Sequence, residues 1–307
     1  MSTIIGIDIG GMSVKAAAVT DGKIVTARRV IPTPAPQVFA EKISELALGV
    51  IAEAKEQNLN ACAIGIGCPG IVSREGVVLF SNNLGLNDYP LKQLVGSAVG
   101  LPVTVLNDAF CATLAEFAYG AGRGAEIMAM LTIGTGVGCG IVVNGKLLMG
   151  KNACTAGGHI VVRGGDNPCN CGGNGCLETQ ASMSAVLKFA EHYAKEEGEE
   201  SLFPKGFSGL HVFETANRGS VAAKRALKVF YEGLGDGIVS LCNLLRPDKI
   251  VIGGGVSARG AALTDILEKY VEERIYIKRR FADFSIVCAQ TGNDAGIIGA
   301  AEYAKKS

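Results

Sequence analysis

The chain has 307 residues, 48% of them hydrophobic and 19% charged, which excludes an intrinsically disordered chain and implies one large or two moderate cores. Its 29 basic and 29 acidic residues cancel, so no global field attracts nucleic acid or an anionic membrane. The opening Met1-Ser2-Thr3-Ile4 lacks a basic n-region, and no apolar run approaches the ~18 residues of a membrane span, so a cytoplasmic protein is expected.

The first predicted elements form a hairpin. Residues 4–25 read as apolar strand, glycine-rich turn, second apolar strand and an Asp-Gly turn. Phe39, Ile43, Leu46, Val50 and Ile51 then recur at helical spacing, and ACAIGIG at 61–67 is a strand. Residues 71–78 read as a further strand and hairpin. PVTVL at 102–106 is a strand running into a helix over 107–120. Residues 128–148 repeat the plan of 4–25, about 124 positions later, with Asn-Gly in place of Asp-Gly. A long striped helix spans about 220–245 and ends at Arg246-Pro247, before the strand KIVIGGG at 249–255. SIVCA at 285–289 and a helix over 294–305 complete an α/β chain, expected to form two similarly built domains with a cleft between them. Chance similarity of glycine-rich hairpins is the alternative to that duplication.

Glycine accounts for 42 residues, about twice the roughly 7% average. Asp8-Ile9-Gly10-Gly11 and Gly134-Thr135-Gly136 occupy matching turns of the two hairpins. Backbone N–H groups there can approach an anion, and two such loops suit a polyphosphate. A carboxylate beside phosphates needs an intervening cation, so Asp8 is a candidate for holding Mg²⁺; a local turn acceptor is the plain alternative. Gly253-Gly254-Gly255 after a strand suits close passage of a nucleoside. No G-x-x-x-x-G-K-[ST] occurs. Gly65, Gly67 and Gly70 match G-x-G-x-x-G, but Pro69 and the following hairpin disfavour a dinucleotide site.

Three of the 10 cysteines fall within eight residues, Cys169, Cys171 and Cys176, and His159 lies ten residues before the first of them. Three thiolates and an imidazole make a closed tetrahedral set for structural Zn²⁺, with free buried thiols as the alternative. The remaining cysteines, at 62, 68, 111, 139, 154, 242 and 288, read as small core residues. His192 and His211 read as surface residues. Asn107-Asp108 opens a helix, where the dipole is expected to keep Asp108 ionised and able to accept a proton from an alcohol. The alternative is a plain N-cap. Asn293-Asp294-Ala295 repeats Asn107-Asp108-Ala109 after another strand, so local sequence does not choose between the two aspartates.

In this order the motifs resemble the ROK family of sugar kinases and sugar-responsive repressors. The likeness rests on His159 with CxCGxxGCxE from Cys169 to Glu178, DxGG-x-x-x-K from Asp8 to Lys15, the LND of Leu106 to Asp108, and the GTG loop. It implies a two-domain actin-like ATPase (ribonuclease H-like) fold with an interdomain cleft and a zinc knuckle. The implied layout is an N-terminal domain at 1–118, a C-terminal domain at 119–290 and a terminal helix at 291–307 returning to the first domain. The resemblance selects Asp108 as the base. It implies sugar contacts by Asn107, Asp108, His159, Glu178, Gly70 and Asn83. ATP would be held by Asp8, Gly10, Gly11, Lys15, Gly134, Thr135, Gly136, Gly254 and Gly255, with Mg²⁺ at Asp8 and Zn²⁺ at His159, Cys169, Cys171 and Cys176. ATP, a sugar and a second copy of the chain are the implied partners, with no nucleic acid or membrane.

Two positions depart from the family. Ala156 stands where ExGH has Glu, removing a charged hydrogen bond worth roughly 1.5–3 kcal/mol, or about ten- to a hundredfold in affinity. Leu86 in NNLGL stands where many relatives carry Trp, altering the expected rim of the pocket. The expected reaction is ATP-dependent phosphorylation of a hexose hydroxyl, the 6-OH. The alternative is a sugar-binding regulator or silent binder. Family repressors carry a helix-turn-helix before the first phosphate loop, and with the loop starting at Asp8 none is expected here.

Overall fold

The computed structural model describes residues 2–150, 156–163, 166–276 and 283–306. It comprises two units, Met1–Glu126 with Gly140–Thr155 and Gln290–Ser307, and Ile127–Cys139 with Ala156–Ala289.

The first unit begins with β1 (Thr3–Ile9), β2 (Ser13–Thr20), β3 (Lys23–Ile24) and β4 (Arg29–Pro32). β1 and β2 are nearly continuous apolar runs, the pattern of strands covered on both faces. Asp21 and Gly22, both at positive φ, make the two-residue turn into β3. Helix α1 (Phe39–Glu56) buries Phe39, Ile43, Leu46, Ala47, Val50 and Ala54, a stripe at three- and four-residue spacing that packs on the sheet. β5 (Ala61–Cys68) joins β1 in parallel. The expected hairpin after it is present as β6 (Ile71–Val72) and β7 (Val78–Ser81), extended by β8 (Leu86–Tyr89) into a small antiparallel sheet. α2 (Leu91–Val99) leads to β9 (Val103–Asn107), which runs without a loop into α3 (Asp108–Tyr119). The main sheet runs β3-β2-β1-β5-β9, with β4 also on β2.

The second sheet contains β10 (Ile127–Ile133), β11 (Val137–Val143) and β12 (Lys146–Leu147), with Asn144 and Gly145 at positive φ in the turn before β12. Four helices follow: α4 (Glu178–Ala181), α5 (Met183–Glu197), α6 (Gly209–Asn217) and α7 (Val221–Leu245). Then come β13 (Lys249–Gly254), α8 (Ala261–Arg274) and β14 (Ser285–Cys288). The order is β12-β11-β10-β13-β14, strand for strand the order of the first sheet. The chain ends in α9 (Ala295–Lys305), part of the first unit, where Ile297, Ala301 and Ala304 pack on Ile4, Ala17 and Val19. The contact is close because β5 presents Gly65: a Cβ there would lie 1.9 Å from the Ala300 carbonyl oxygen.

Several expectations change. Cys68, Cys111, Cys139 and Cys242 are buried, but Cys62 is exposed and Cys288 half-buried. Cys62 lies near the start of β5, where its side chain bonds the Thr3 carbonyl. Cys154 lies outside the described residues. His211 is half-buried, its Nε2 bonding the Leu202 carbonyl oxygen beside Phe203 and Phe207, whereas His192 is exposed and pairs with Glu196. Leu86 is 1% exposed within the core, so it forms no rim. Among the described residues no helix is long and apolar enough to cross a membrane.

Candidate active site

In the first unit the predicted residues gather at the carboxyl ends of the parallel strands β1, β5 and β9, where α/β sheets bind ligands. Asp8 is paired with Gly67 across β1 and β5, and Cys68 with Asn107 across β5 and β9. Strands repeat every 4.7–4.9 Å, so Asp8 lies level with Leu106 of β9 at about 10 Å, and Asp108 follows two residues beyond. Gly10 and Gly11 form the turn beyond β1, closed by Gly10 N donating to Ser13 O at 2.9 Å and Thr33 Oγ1 donating to Gly10 O at 2.6 Å. Lys15 is the antiparallel partner of Asp8.

Asn107, not Asp108, is the N-cap of α3. Its Oδ1 accepts from Ala109 N and Phe110 N at 3.0 and 3.2 Å, and its Nδ2 donates to Gly70 O at 3.0 Å. One side chain thus ties the segment after β5 to the helix that carries Asp108. Asn83 lies exposed on the short turn Asn82–Leu84, just beyond Ser81, whose Cα a Cβ at Gly70 would meet. Gly70, Asn83, Asn107 and Asp108 therefore share this end of the unit.

The expected low Asp108 pKa is not found. Burial raises it, against hydrogen bonds from Ala109 N, its own N and Asn107 that lower it. Desolvation outweighs the helix N-terminus because a half-buried carboxylate loses more hydration than the N–H groups replace. Asp8 is pushed up to about 6 by burial, then by the charge of Asp108, with Lys15 opposing. Gly296 of α9 lies against this carboxylate, where a Cβ would be 2.4 Å from it. Asp294, the second candidate base, makes a two-pronged ion pair with Arg28 at 2.7 and 2.6 Å.

In the second unit, β10 and β13 pair in parallel with Thr132 beside Gly253 and Ile133 beside Gly254. Gly134-Thr135-Gly136 and Gly254-Gly255 therefore leave adjacent strand ends side by side. Gly254 has φ +83°, and a Cβ would strike Ile133 O at 2.0 Å, so the position accepts glycine alone. Glu178 opens α4 and accepts from Val137 N at 2.9 Å.

His159, Cys169, Cys171 and Cys176 converge, their ligand atoms all within 4.8 Å of one another. His159 Nδ1 is 3.5 Å from Cys169 Sγ, and Cys171 Sγ is 3.6 Å from Cys176 Sγ. Zn–S bonds of about 2.3 Å put tetrahedral donors about 3.8 Å apart, so spacing and donor chemistry both fit zinc. The cluster is framed by Val161 bridging to Cys176 and Pro168 to Asn174.

Glu116 was missed by the sequence reading. This fully buried carboxylate on α3 accepts from Ala121 N, Gln290 N and Thr291 N at 2.8, 2.8 and 2.6 Å and also from Thr291 Oγ1, fastening the segment before α9. The available signal was one acid inside the apolar run FCATLAEFAYG.

The family described as ROK family matches residues 4–307. A glucokinase of Halalkalibacterium halodurans is 37% identical over 96% of this chain and 92% of that one. The crystal structure of a ROK family glucokinase from Streptomyces griseus, in complex with glucose and AMPPNP, is 31% identical, covers 100% of both chains and superposes with a TM-score of 0.84. A xylose repressor of Caldicellulosiruptor bescii is 30% identical over 77% of this chain and 60% of its own.

Proposed function

The chain belongs to the ROK family, and from that premise we propose that it phosphorylates a hexose at its 6-OH with ATP. The single observation that carries this reading is the pair Asp8 and Asp108, two carboxylates at the carboxyl ends of β1 and β9, the parallel strands that flank β5, electrostatically coupled and both raised in pKa. Full-length likeness to a glucokinase supports the substrate class. The shared strand order of the two sheets supports assigning the actin-like ATPase, ribonuclease H-like architecture.

In this mechanism Asp108 accepts the hydroxyl proton as the sugar oxygen bonds the γ-phosphorus, and the bond from that phosphorus to the β,γ-bridging oxygen breaks, releasing ADP. A raised pKa brings Asp108 nearer the operating pH and makes it a better acceptor than an ordinary surface carboxylate. Asn107 orients the sugar and keeps Gly70 against the helix, with Asn83 beside it; His159 and Glu178 bind further hydroxyls. Gly10, Gly11, Gly134, Thr135, Gly136 and Lys15 surround the phosphates, and Gly254 and Gly255 pass the nucleoside. Asp8 would hold Mg²⁺, which when bound neutralises phosphate charge. His159, Cys169, Cys171 and Cys176 would hold Zn²⁺ and so orient the free Nε2 edge of His159. Membership of the family supports reading the protein as a homodimer.

Asp108→Asn tests the reading, with Mg-ATP binding preserved and turnover lowered ~10²- to 10⁴-fold; near wild-type turnover would sink it. Ala156, exposed beside His159, favours one second reading, a sugar sensor without turnover. A coupled assay over aldohexoses, ketohexoses and N-acylated amino sugars separates the two, because binding without turnover on any of them supports the sensor.

A further inference from the structure

The turn Gly134–Gly136 is gripped by the segment that follows the zinc knuckle. Glu178 lays Oε2 on the backbone beyond this turn, accepting from Val137 N at 2.9 Å. A Cβ at Gly136 would lie 2.4 Å from the same oxygen, so the carboxylate rests directly on the turn. Five residues on, Met183 N donates to Gly134 O at 2.8 Å. On the other side, a Cβ at Gly158 would lie 2.0 Å from Val137 O, and Gly158 immediately precedes His159. Val137 is thus held between Glu178 and the turn bearing His159. Among the described residues Oε1 of Glu178 makes no hydrogen bond, while the side chain is only half-buried.

We propose that Glu178 serves two ligands at once, Oε2 fixing the phosphate turn and Oε1 accepting a sugar hydroxyl, so that sugar and nucleotide binding are coupled through one side chain. The inference rests on the reading of Glu178 as a sugar contact. A free Glu178 samples several rotamers, and each departure releases Val137 N. A sugar hydroxyl on Oε1 restricts the side chain, keeps Oε2 on Val137 N and orders the turn before phosphate arrives. Linkage makes the effect mutual, so Mg-nucleotide tightens sugar binding by the same factor. Here Glu178 is a positioning residue for the nucleotide, which it acts on through the turn.

The test is calorimetric titration of Mg-ADP, with and without glucose, into the wild type, Glu178→Gln and Glu178→Ala. Glucose should tighten Mg-ADP about fivefold or more in the wild type. Glu178→Gln keeps an oxygen for Val137 N and should bind Mg-ADP alone within about twofold of wild type, while its glucose affinity falls. Glu178→Ala should lose about tenfold in Mg-ADP affinity without sugar, and all of the coupling. Equal Mg-ADP affinities for the three proteins without sugar overturn the inference. Unchanged glucose affinity in both variants, with weaker Mg-ADP in Glu178→Ala, overturns instead the sugar contact and the coupling built on it. Hydrogen exchange at the Val137 amide keeps the test independent of variant folding: glucose should slow it in the wild type, and an unchanged rate counts against the proposal.

Discussion

The triplet Asn-Asp-Ala occurs at 107–109 and at 293–295, each time after the outermost parallel strand of a sheet with the same strand order. At the first, β9 passes directly into α3, so Asn107 caps the helix and Asp108 opens it as a half-buried carboxylate at the strand ends. At the second, five residues separate the end of β14 from Asp294, and Asp294 sits in a short 3₁₀ turn paired with Arg28. Identical local sequence thus yields a desolvated carboxylate in one place and a neutralised surface ion pair in the other. The difference comes from the length of the strand-to-helix connection and from whether a guanidinium is in reach. The two helices nevertheless meet, because a Cβ at Gly299 would lie 1.7 Å from Cys111 O, so α9 can rest on α3 only through glycine.

The comparison can be broken most sharply by exchange. Asp108→Asn should abolish turnover by the factor given above, whereas Asp294→Asn should leave kcat within about twofold, since its carboxylate is committed to Arg28. Steady-state kinetics of both variants decides this, and a comparable loss in each would erase the distinction. Next in size is Glu116, which joins the two helices. Glu116→Ala leaves Gln290 N, Thr291 N and Ala121 N without their acceptor and should cost about 3 kcal/mol of stability, read by denaturant titration.

A pH effect of intermediate size belongs to the first site alone. Asp8 has a folded pKa of about 6 against an ordinary 3.8, so between those values the folded state binds more protons than the unfolded one. In metal-free protein its contribution is full below about 4 and is lost as pH rises through about 6, the reverse of a salt-bridged aspartate. Asp8→Asn should flatten that part of the stability profile, measured as Tm against pH in EDTA. The smallest effect is expected at the second site. Arg28→Ala should leave Tm almost unchanged in a thermal melt, because its side chain is 53% exposed and its pairing with Asp294 is screened.

Much of this was legible in the chain. Both hairpins were visible because strand, glycine turn and Asp-Gly or Asn-Gly are short-range signals, and Asp21-Gly22 and Asn144-Gly145 do adopt the positive φ pairs that such turns need. The knuckle was visible because metal-ligand spacing is a local property of Cys169, Cys171 and Cys176. Harder to read were α4, α5, α6 and α8. They are stabilised mainly by packing against α7 and one another, contacts that no short stretch of the chain displays. Leu86 was misplaced because a single apolar residue between Gly85 and Asn87 gives no sign of which face of a short strand it occupies.

The order of elements, the duplicated hairpin, the donor set of the knuckle and the inventory of candidate carboxylates were determined by sequence alone, since each depends on neighbours within a few residues. Only the tertiary structure decided what each carboxylate does: Asp108 desolvated, Asp294 paired, Glu116 buried under four donors, Glu178 laid on the Gly136–Val137 backbone. The physical reason is that a carboxylate's state is set by solvent exclusion and by the donors aimed at it. Glu116 takes donors from residues 174 and 175 positions away, and Glu178 takes its donor from 41 positions away; no window on the chain contains them together.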